Sequence, residues 1–269
     1  MKRGFLEATT LGFAHALTRA MFAEQTARQR GLLQSLDPRV RLLGLFMLVL
    51  AVTLSRKLSV VAGLFALALV IAVLSKVRIA TLATRVWLVV LAFTGVIALP
   101  AIFVTPGHPV AALGPVTVTE QGLCTAALLI LRVETAVTFT TLLVLCTPWT
   151  HVLKALRALR LPKEAITMLA MTHRYVFLLV ETASQMFESR RSRTVGTLKP
   201  AEQRHMAART AGVLLSKSIN LSNEVYLAMQ SRGFRGDVHV LSDFHLTMWD
   251  YCGLLVFLLA EGIAVWMGR

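Results

Sequence analysis

Arginine flanked by small residues is the chemistry this sequence offers most plainly. Two triplets of this kind, Ser192-Arg193-Thr194 and Ser231-Arg232-Gly233, sit on opposite sides of a helical stretch. A guanidinium is planar, stays charged and forms paired hydrogen bonds with a carboxylate, so an arginine set among small residues suits docking to an acidic site on another protein. Arg190 and Arg191 precede the first triplet, and the alternative reading of these cations is a solvated basic surface. Catalysis has no comparable support. Clustered aspartates, a His-Glu metal motif and a Gly-flanked serine nucleophile are missing from the sequence, which leaves a membrane-embedded enzyme as a remote alternative. The seven histidines, His15, His108, His151, His173, His205, His239 and His245, never form a spaced pair on one helix face. No metal site is therefore expected. Cys124, Cys146 and Cys252 share no metal-like spacing either and are expected to be buried packing residues.

The elements that must carry these triplets are set by composition. Of 269 residues 56% are hydrophobic and only 16% charged, too apolar for a soluble domain. Apolar residues fall in five blocks, Leu42 to Leu54, Leu58 to Leu74, Val86 to Val104, Gly122 to Leu145 and Tyr251 to Met267. A helix needs about 20 residues to cross a bilayer core of about 30 Å. The later blocks meet that length, and the first would need Val40 and the stem of Arg41 to reach the interface. Strand barrels are disfavoured, because the blocks lack an alternating pattern. The expected fold class is therefore an all-α membrane protein with about five transmembrane helices. No signal peptide is evident, so the first span is expected to direct insertion. Arg132 and Glu134 lie inside the fourth block and are costly there, which points to interhelical pairing or a polar path. Glu261 in the last block is a candidate partner for Arg132.

Charge distribution gives the topology. The net charge is +14, yet 7 of the 28 Lys and Arg residues lie in residues 1–41, 14 lie in residues 149–246, and none lies between Thr105 and Gln121. That asymmetry follows the positive-inside rule and argues against nucleic acid as the partner. Four spans then return the chain to the cytoplasm. The expected organisation is an amphipathic cytoplasmic segment over 1–41, transmembrane helices over 42–147, a cytoplasmic region over 148–246 and a last transmembrane helix over 247–269.

The cytoplasmic region opens at Pro148 with a basic amphipathic stretch, His151 to Arg160, whose Leu153, Leu156 and Leu159 face lipid or neighbouring helices. Leu161-Pro162 breaks it. A helical pattern resumes at Lys163 and runs to about Arg193, and its apolar portion, residues 166–180, is placed at the membrane boundary. Thr197 to Pro200 reads as a turn, followed by two helical patterns joined near Ser218 to Ser222. Leu221, Val225 and Met229 form a stripe that needs a sibling helix or another protein. Gly233 and Gly236 end the helix and leave Arg232 at its tip, where the dipole suits a cation.

Three segments resemble the CbiQ/EcfT family, the transmembrane subunits of energy-coupling-factor ABC importers, and its cobalt branch most of all. They are Gly31 to Leu43 around Leu36-Asp37-Pro38-Arg39, Thr172 to Leu179, and Val225 to Phe234. The resemblance implies crossed cytoplasmic coupling helices whose two Ala-Arg-Gly tips dock in grooves of two ATPase subunits. Arg232 and Gly233 match the second tip with Ser231 for Ala. At the first, Arg193 matches while Ser192 and Thr194 replace Ala and Gly. The implied partners are two cytoplasmic ABC ATPases (CbiO-like), a membrane substrate-capture subunit (CbiM-like) and, as a further option, a small accessory membrane subunit (CbiN-like), in a bacterial inner membrane. The implied subunit is non-catalytic and carries no cofactor, ATP and Mg being held by the ATPases. Cobalt is the favoured cargo. Nickel or a vitamin, and a conventional ABC importer permease, are the alternatives.

Overall fold

The computed structural model describes residues 12, 31–105, 109–113, 116–159, 161–194, 199–234 and 248–268. The chain divides into two compact units, Met1–Ala23 with Leu156–Asp243, and Glu24–Ala155 with Phe244–Arg269. The apolar blocks become helices with nearly the expected bounds. In order these are a short turn α1 (Leu32–Ser35), α2 (Pro38–Leu54), α3 (Leu58–Leu74), a short α4 (Ile79–Leu82) leading through a π-helical turn at Ala83–Trp87 into α5 (Leu88–Val104), and α6 (Glu120–Cys146). They are followed by α7 (Trp149–Ala158), α8 (Lys163–Arg193), α9 (Pro200–Ser231) and α10 (Met248–Gly268). The fold is all-α and of membrane type, save for one antiparallel hairpin, β1 (Pro109–Leu113) with β2 (Val116–Thr119), in the segment read from sequence as a polar loop.

Five apolar helices, α2, α3, α5, α6 and α10, build the bundle. At 27 and 21 residues, α6 and α10 are long and apolar enough to cross a membrane. The 17-residue α2, α3 and α5 each rise about 26 Å, near the lower limit for a span. The core lies where α2, α3, α6 and α10 meet, around Leu45, Leu48, Val61, Leu64, Phe139, Leu142 and Phe257. Helices approach closely where side chains are absent. A Cβ on Gly44 of α2 would fall 2.3 Å from the Phe257 ring of α10, the close packing by small residues that joins helices in lipid. The outer face of α5 is bare, with Leu88, Val89, Phe93 and Val96 all more than 60% exposed. That surface belongs in hydrocarbon. Cys146 is buried in the core, but Cys124 and Cys252 are exposed on the outside of their helices, contrary to the expectation of three packing thiols. An apolar block has a lipid side as well as a core side, and composition cannot tell them apart.

In the other unit, α8 and α9 form an antiparallel pair whose buried contacts include Ala183, Phe187 and Thr210. The break expected near Ser218 to Ser222 does not occur, since α9 runs unbroken from Pro200 to Ser231. No Pro or Gly interrupts this stretch, and the Ser218 hydroxyl donates back to the Leu215 carbonyl (2.8 Å), satisfying itself within the helix.

Candidate functional site: docking tips and a buried polar hub

The second arginine triplet sits on a defined helix stop. Gly233 adopts φ +80°, a conformation that costs an L-residue about 1–2 kcal/mol. Its N–H donates to the Gln230 carbonyl (2.9 Å) and that of Phe234 to the Met229 carbonyl (3.0 Å). This pair of bonds is the Schellman arrangement. The backbone thus satisfies its own last carbonyls, and Arg232, at the C-cap, stays exposed with Ser231 and Gly233. Ser231 turns its hydroxyl back to the Ala228 carbonyl (2.9 Å).

The first triplet ends α8 by other means. Thr194 stands where a glycine would be, and its Oγ1 donates to the Arg190 carbonyl (2.8 Å), while Ser192 Oγ donates to the Ser189 carbonyl (2.9 Å). Side chains do here what the glycine backbone does at Gly233. Arg193 is exposed. It lines a cleft of about 370 Å³ with Ser189, Arg190, Thr194 and, from the start of α9, Met206. Arg190, one turn back, therefore shares the face of Arg193. Because Arg193 lies beside Met206 near the start of α9 and Arg232 caps the end of that helix, the tips are separated by about 39 Å of helix rise.

The stripe of Leu221, Val225 and Met229 faces α8. With Met171, Tyr175 and Leu179 it lines an open apolar groove of about 470 Å³, which Phe234 closes at one end.

The intramembrane residues are placed differently from their expected pairing. Arg132 Nη2 donates to the Ser55 carbonyl at the C-cap of α2 (2.7 Å) rather than pairing with Glu261, which is half-buried on α10. Mid-helix in α6, Arg132 thus lies level with the α2–α3 turn and meets the negative end of the α2 dipole. Glu134 is buried, and neither carboxylate oxygen has a hydrogen-bond partner. Its neighbour one turn on, Thr138, accepts a hydrogen bond from Trp87 Nε1 (3.0 Å) at the end of the π-helical turn.

Sequence reasoning passed over a polar hub at the other end of the bundle. Arg41 is 1% exposed. Its Nη1 donates to the Cys146 carbonyl (2.5 Å) and Thr147 Oγ1 (3.3 Å), and its Nη2 to the Leu36 carbonyl (2.7 Å). The stem that was expected to snorkel to the interface instead turns inward and closes the ends of α1 and α6. Asp37, the N-cap of α2, accepts from the Arg39 N–H (2.8 Å) and donates its own N–H to Asp250 Oδ1 at the head of α10 (2.6 Å). Asp37 and Asp250 are both buried and interact electrostatically with Arg41. The available signal was Asp37-Pro38 followed by Arg41 at the start of one apolar helix, with Asp250 at the start of another. On the amphipathic α7, burial together with the Lys154 and Arg41 charges lowers the pKa of His151. Among the described residues no group of three His, Cys, Asp or Glu is arranged to hold a metal. His15, His108, His239, His245, Thr197, Gly236 and most of segment 1–41 lie outside the described residues.

Residues 29–241 match the CbiQ family, described as cobalt transport protein. The chain belongs to this family. It is 30% identical over 258 residues to an uncharacterized protein of Methanocaldococcus jannaschii, covering 94% of this chain and 88% of the relative. It is also 31% identical over 157 residues to the cobalt transport protein CbiQ of Rhodobacter capsulatus, covering 56% of this chain and 63% of that protein. The matched family range takes in Asp37, Arg41 and Cys146 of the polar hub, though not Asp250, and also α8 with its Arg193 tip and α9 with its Arg232 tip. The chain is accordingly a membrane component of a CbiQ-type transporter.

Proposed function

We propose that this chain is the energy-coupling subunit of a cobalt importer, linking ATP hydrolysis on two cytoplasmic ATPase subunits to movement of a membrane subunit that captures the ion. One observation carries the reading: two arginines exposed at opposite ends of the α8–α9 pair, on helix ends whose nearby carbonyls are already satisfied. A pair of tips about 39 Å apart, by helix rise, suits two separate docking grooves better than one. Each guanidinium would meet a carboxylate, and ATP and Mg would stay on the ATPases. Cobalt as cargo rests on the family and on the Rhodobacter relative's name. The capture subunit selects the ion in this scheme. The bundle lies in the cell membrane with α8 and α9 on the cytoplasmic side, as the cation distribution argues.

Coexpression with the neighbouring transport subunits tests this. Arg193→Glu with Arg232→Glu should abolish ATPase copurification and radiocobalt uptake, because repulsion replaces a charge-assisted contact at each tip. Arg193→Glu alone should act less strongly, since Arg190 lines the same cleft. Normal pull-down and uptake by the double variant would sink the coupling mechanism.

A further inference from the structure

The turn between α2 and α3 carries two cations that ATPase docking leaves unused. Arg56 and Lys57 are exposed there, and neither side chain is ion-paired among the described residues. The sequence holds no Asp or Glu between Asp37 and Glu120, so the turn and both helices supply no carboxylate to neutralise them. On the helices packed beside it, Glu134 is buried, and Glu261 lies about 10 Å of helix rise from Gly268. A third cation comes from α6. Arg132 meets the same turn through one hydrogen bond, to the Ser55 carbonyl (2.7 Å), and its Nε is buried with no partner. Hydrocarbon holds no water to satisfy such donors, so an acceptor must be brought to them.

Tryptophan marks the depth of this cluster. The Arg56 N–H donates to the Gly268 carbonyl (3.0 Å) at the end of α10, which sets the turn level with Trp266. Trp266 is 84% exposed, and Trp249 at the other end of α10 is 79% exposed. About 26 Å of helix rise separates them, close to the thickness of a bilayer core, and outward-facing tryptophans favour its two headgroup boundaries. Below the turn, Leu50 and Leu54 lie one helical turn apart on the outside of α2, both exposed. We propose that Arg56, Lys57 and Arg132 hold the phosphodiester of one anionic phospholipid at the end of the bundle opposite the polar hub, with an acyl chain along Leu50 and Leu54. The two guanidinium groups offer paired N–H donors to phosphate oxygens, and Lys57 adds a point charge. A lipid fits better than a free phosphate, because exposed apolar surface continues directly below the cations. Phosphatidylglycerol fits better than phosphatidylethanolamine, whose ammonium would meet like charge.

Native mass spectrometry of the full chain in detergent micelles tests the site and does not depend on ATPase docking. Phosphatidylglycerol, phosphatidylethanolamine and inorganic phosphate are the probes. One phosphatidylglycerol per chain should stay bound under conditions that strip phosphatidylethanolamine. Arg56→Gln with Lys57→Gln should cut the phosphatidylglycerol-bound fraction at least about ten-fold. Both residues are exposed, so the melting temperature should not change. Arg204→Gln with Arg209→Gln removes equal charge from exposed positions on α9 and should leave the lipid in place. No bound phosphatidylglycerol, equal binding of the two lipids, undiminished retention by the Arg56 and Lys57 variant, or equal loss in the α9 variant would each overturn the proposal. Displacement of the lipid by excess inorganic phosphate would make this a free-anion site and overturn the lipid assignment as well.

Discussion

Replacing Arg41 with methionine keeps the length and apolar stem of the side chain and removes the head group that closes two helix ends. The Cys146 and Leu36 carbonyls, both paired with the guanidinium, then lie buried without it. A buried polar group left unpaired costs about 1–3 kcal/mol, and removing one member of a buried charge network costs about 3–5 kcal/mol, part of which is offset because a cation no longer has to be desolvated. At about 2–4 °C per kcal/mol for a chain of this size, the loss corresponds to about 6–20 °C in apparent melting temperature. Arg132→Met is the internal comparison. Arg132 is half-buried and makes one hydrogen bond, to Ser55, so about 1 kcal/mol and a few degrees are expected. The assay heats detergent-solubilised protein and follows the folded monomer peak by size-exclusion chromatography. If Arg41→Met melted within about 2 °C of the parent, or Arg132→Met proved the more damaging change, the assignment of Arg41 as the hub would be wrong.

Gly233→Ala should leave the bundle's melting temperature unchanged while weakening ATPase copurification, because the φ of +80° becomes strained by about 1–2 kcal/mol and Arg232 is re-aimed. Undiminished pull-down would refute the role of the helix stop. Gly44→Ala should destabilise by about 1–3 kcal/mol through collision with the Phe257 ring, and adding Phe257→Leu should recover part of the loss in the same thermal assay. For His151, the folded pKa lies below its ordinary value of 6.5, so the unfolded chain binds the proton first. Stability is then unaffected above that value and falls as pH drops below it. His151→Gln should flatten this acid-side loss in melts taken from pH 5 to 7.5, and an unchanged pH profile would count against it.

Much of this architecture is legible in one sequence because its signals are physically strong. Leu58 to Leu74 and Lys163 to Arg193 were expected as helices and appear with those bounds, the first from an unbroken apolar run and the second from Pro162 before it. The hairpin at Pro109–Leu113 and Val116–Thr119 was not expected. Its strands are short, and composition alone marks the segment only as a polar connection. Serines at Ser218 and Ser222 suggested a joint, yet the Ser218 hydroxyl folds back onto its own helix and the joint is absent. Arg41 was misread because its identity and position suit snorkelling as well as burial. What decides between them is an unsatisfied carbonyl at the end of α6, 105 positions away.

Four arginines of this chain lie at helix C-termini. A helix ends with carbonyls that have no partner of their own, and these attract cations. At α2 and α6 no glycine turn satisfies them. Arg132 answers at Ser55 and Arg41 at Cys146, each drawn from another helix. At α9 the positive-φ Gly233 lets Gly233 and Phe234 N–H groups reach back, and at α8 the Thr194 hydroxyl does so. Arg232 and Arg193, at those two ends, are exposed. The same stops occur inside the bundle, where the Ser55 hydroxyl donates to the Ala51 carbonyl at the end of α2 (2.7 Å) and Lys76, at φ 56°, lets the Lys76 and Val77 N–H groups reach the Val73 and Ala72 carbonyls after α3, so burial rather than the stop separates the arginines that fasten helices together from those available to a partner.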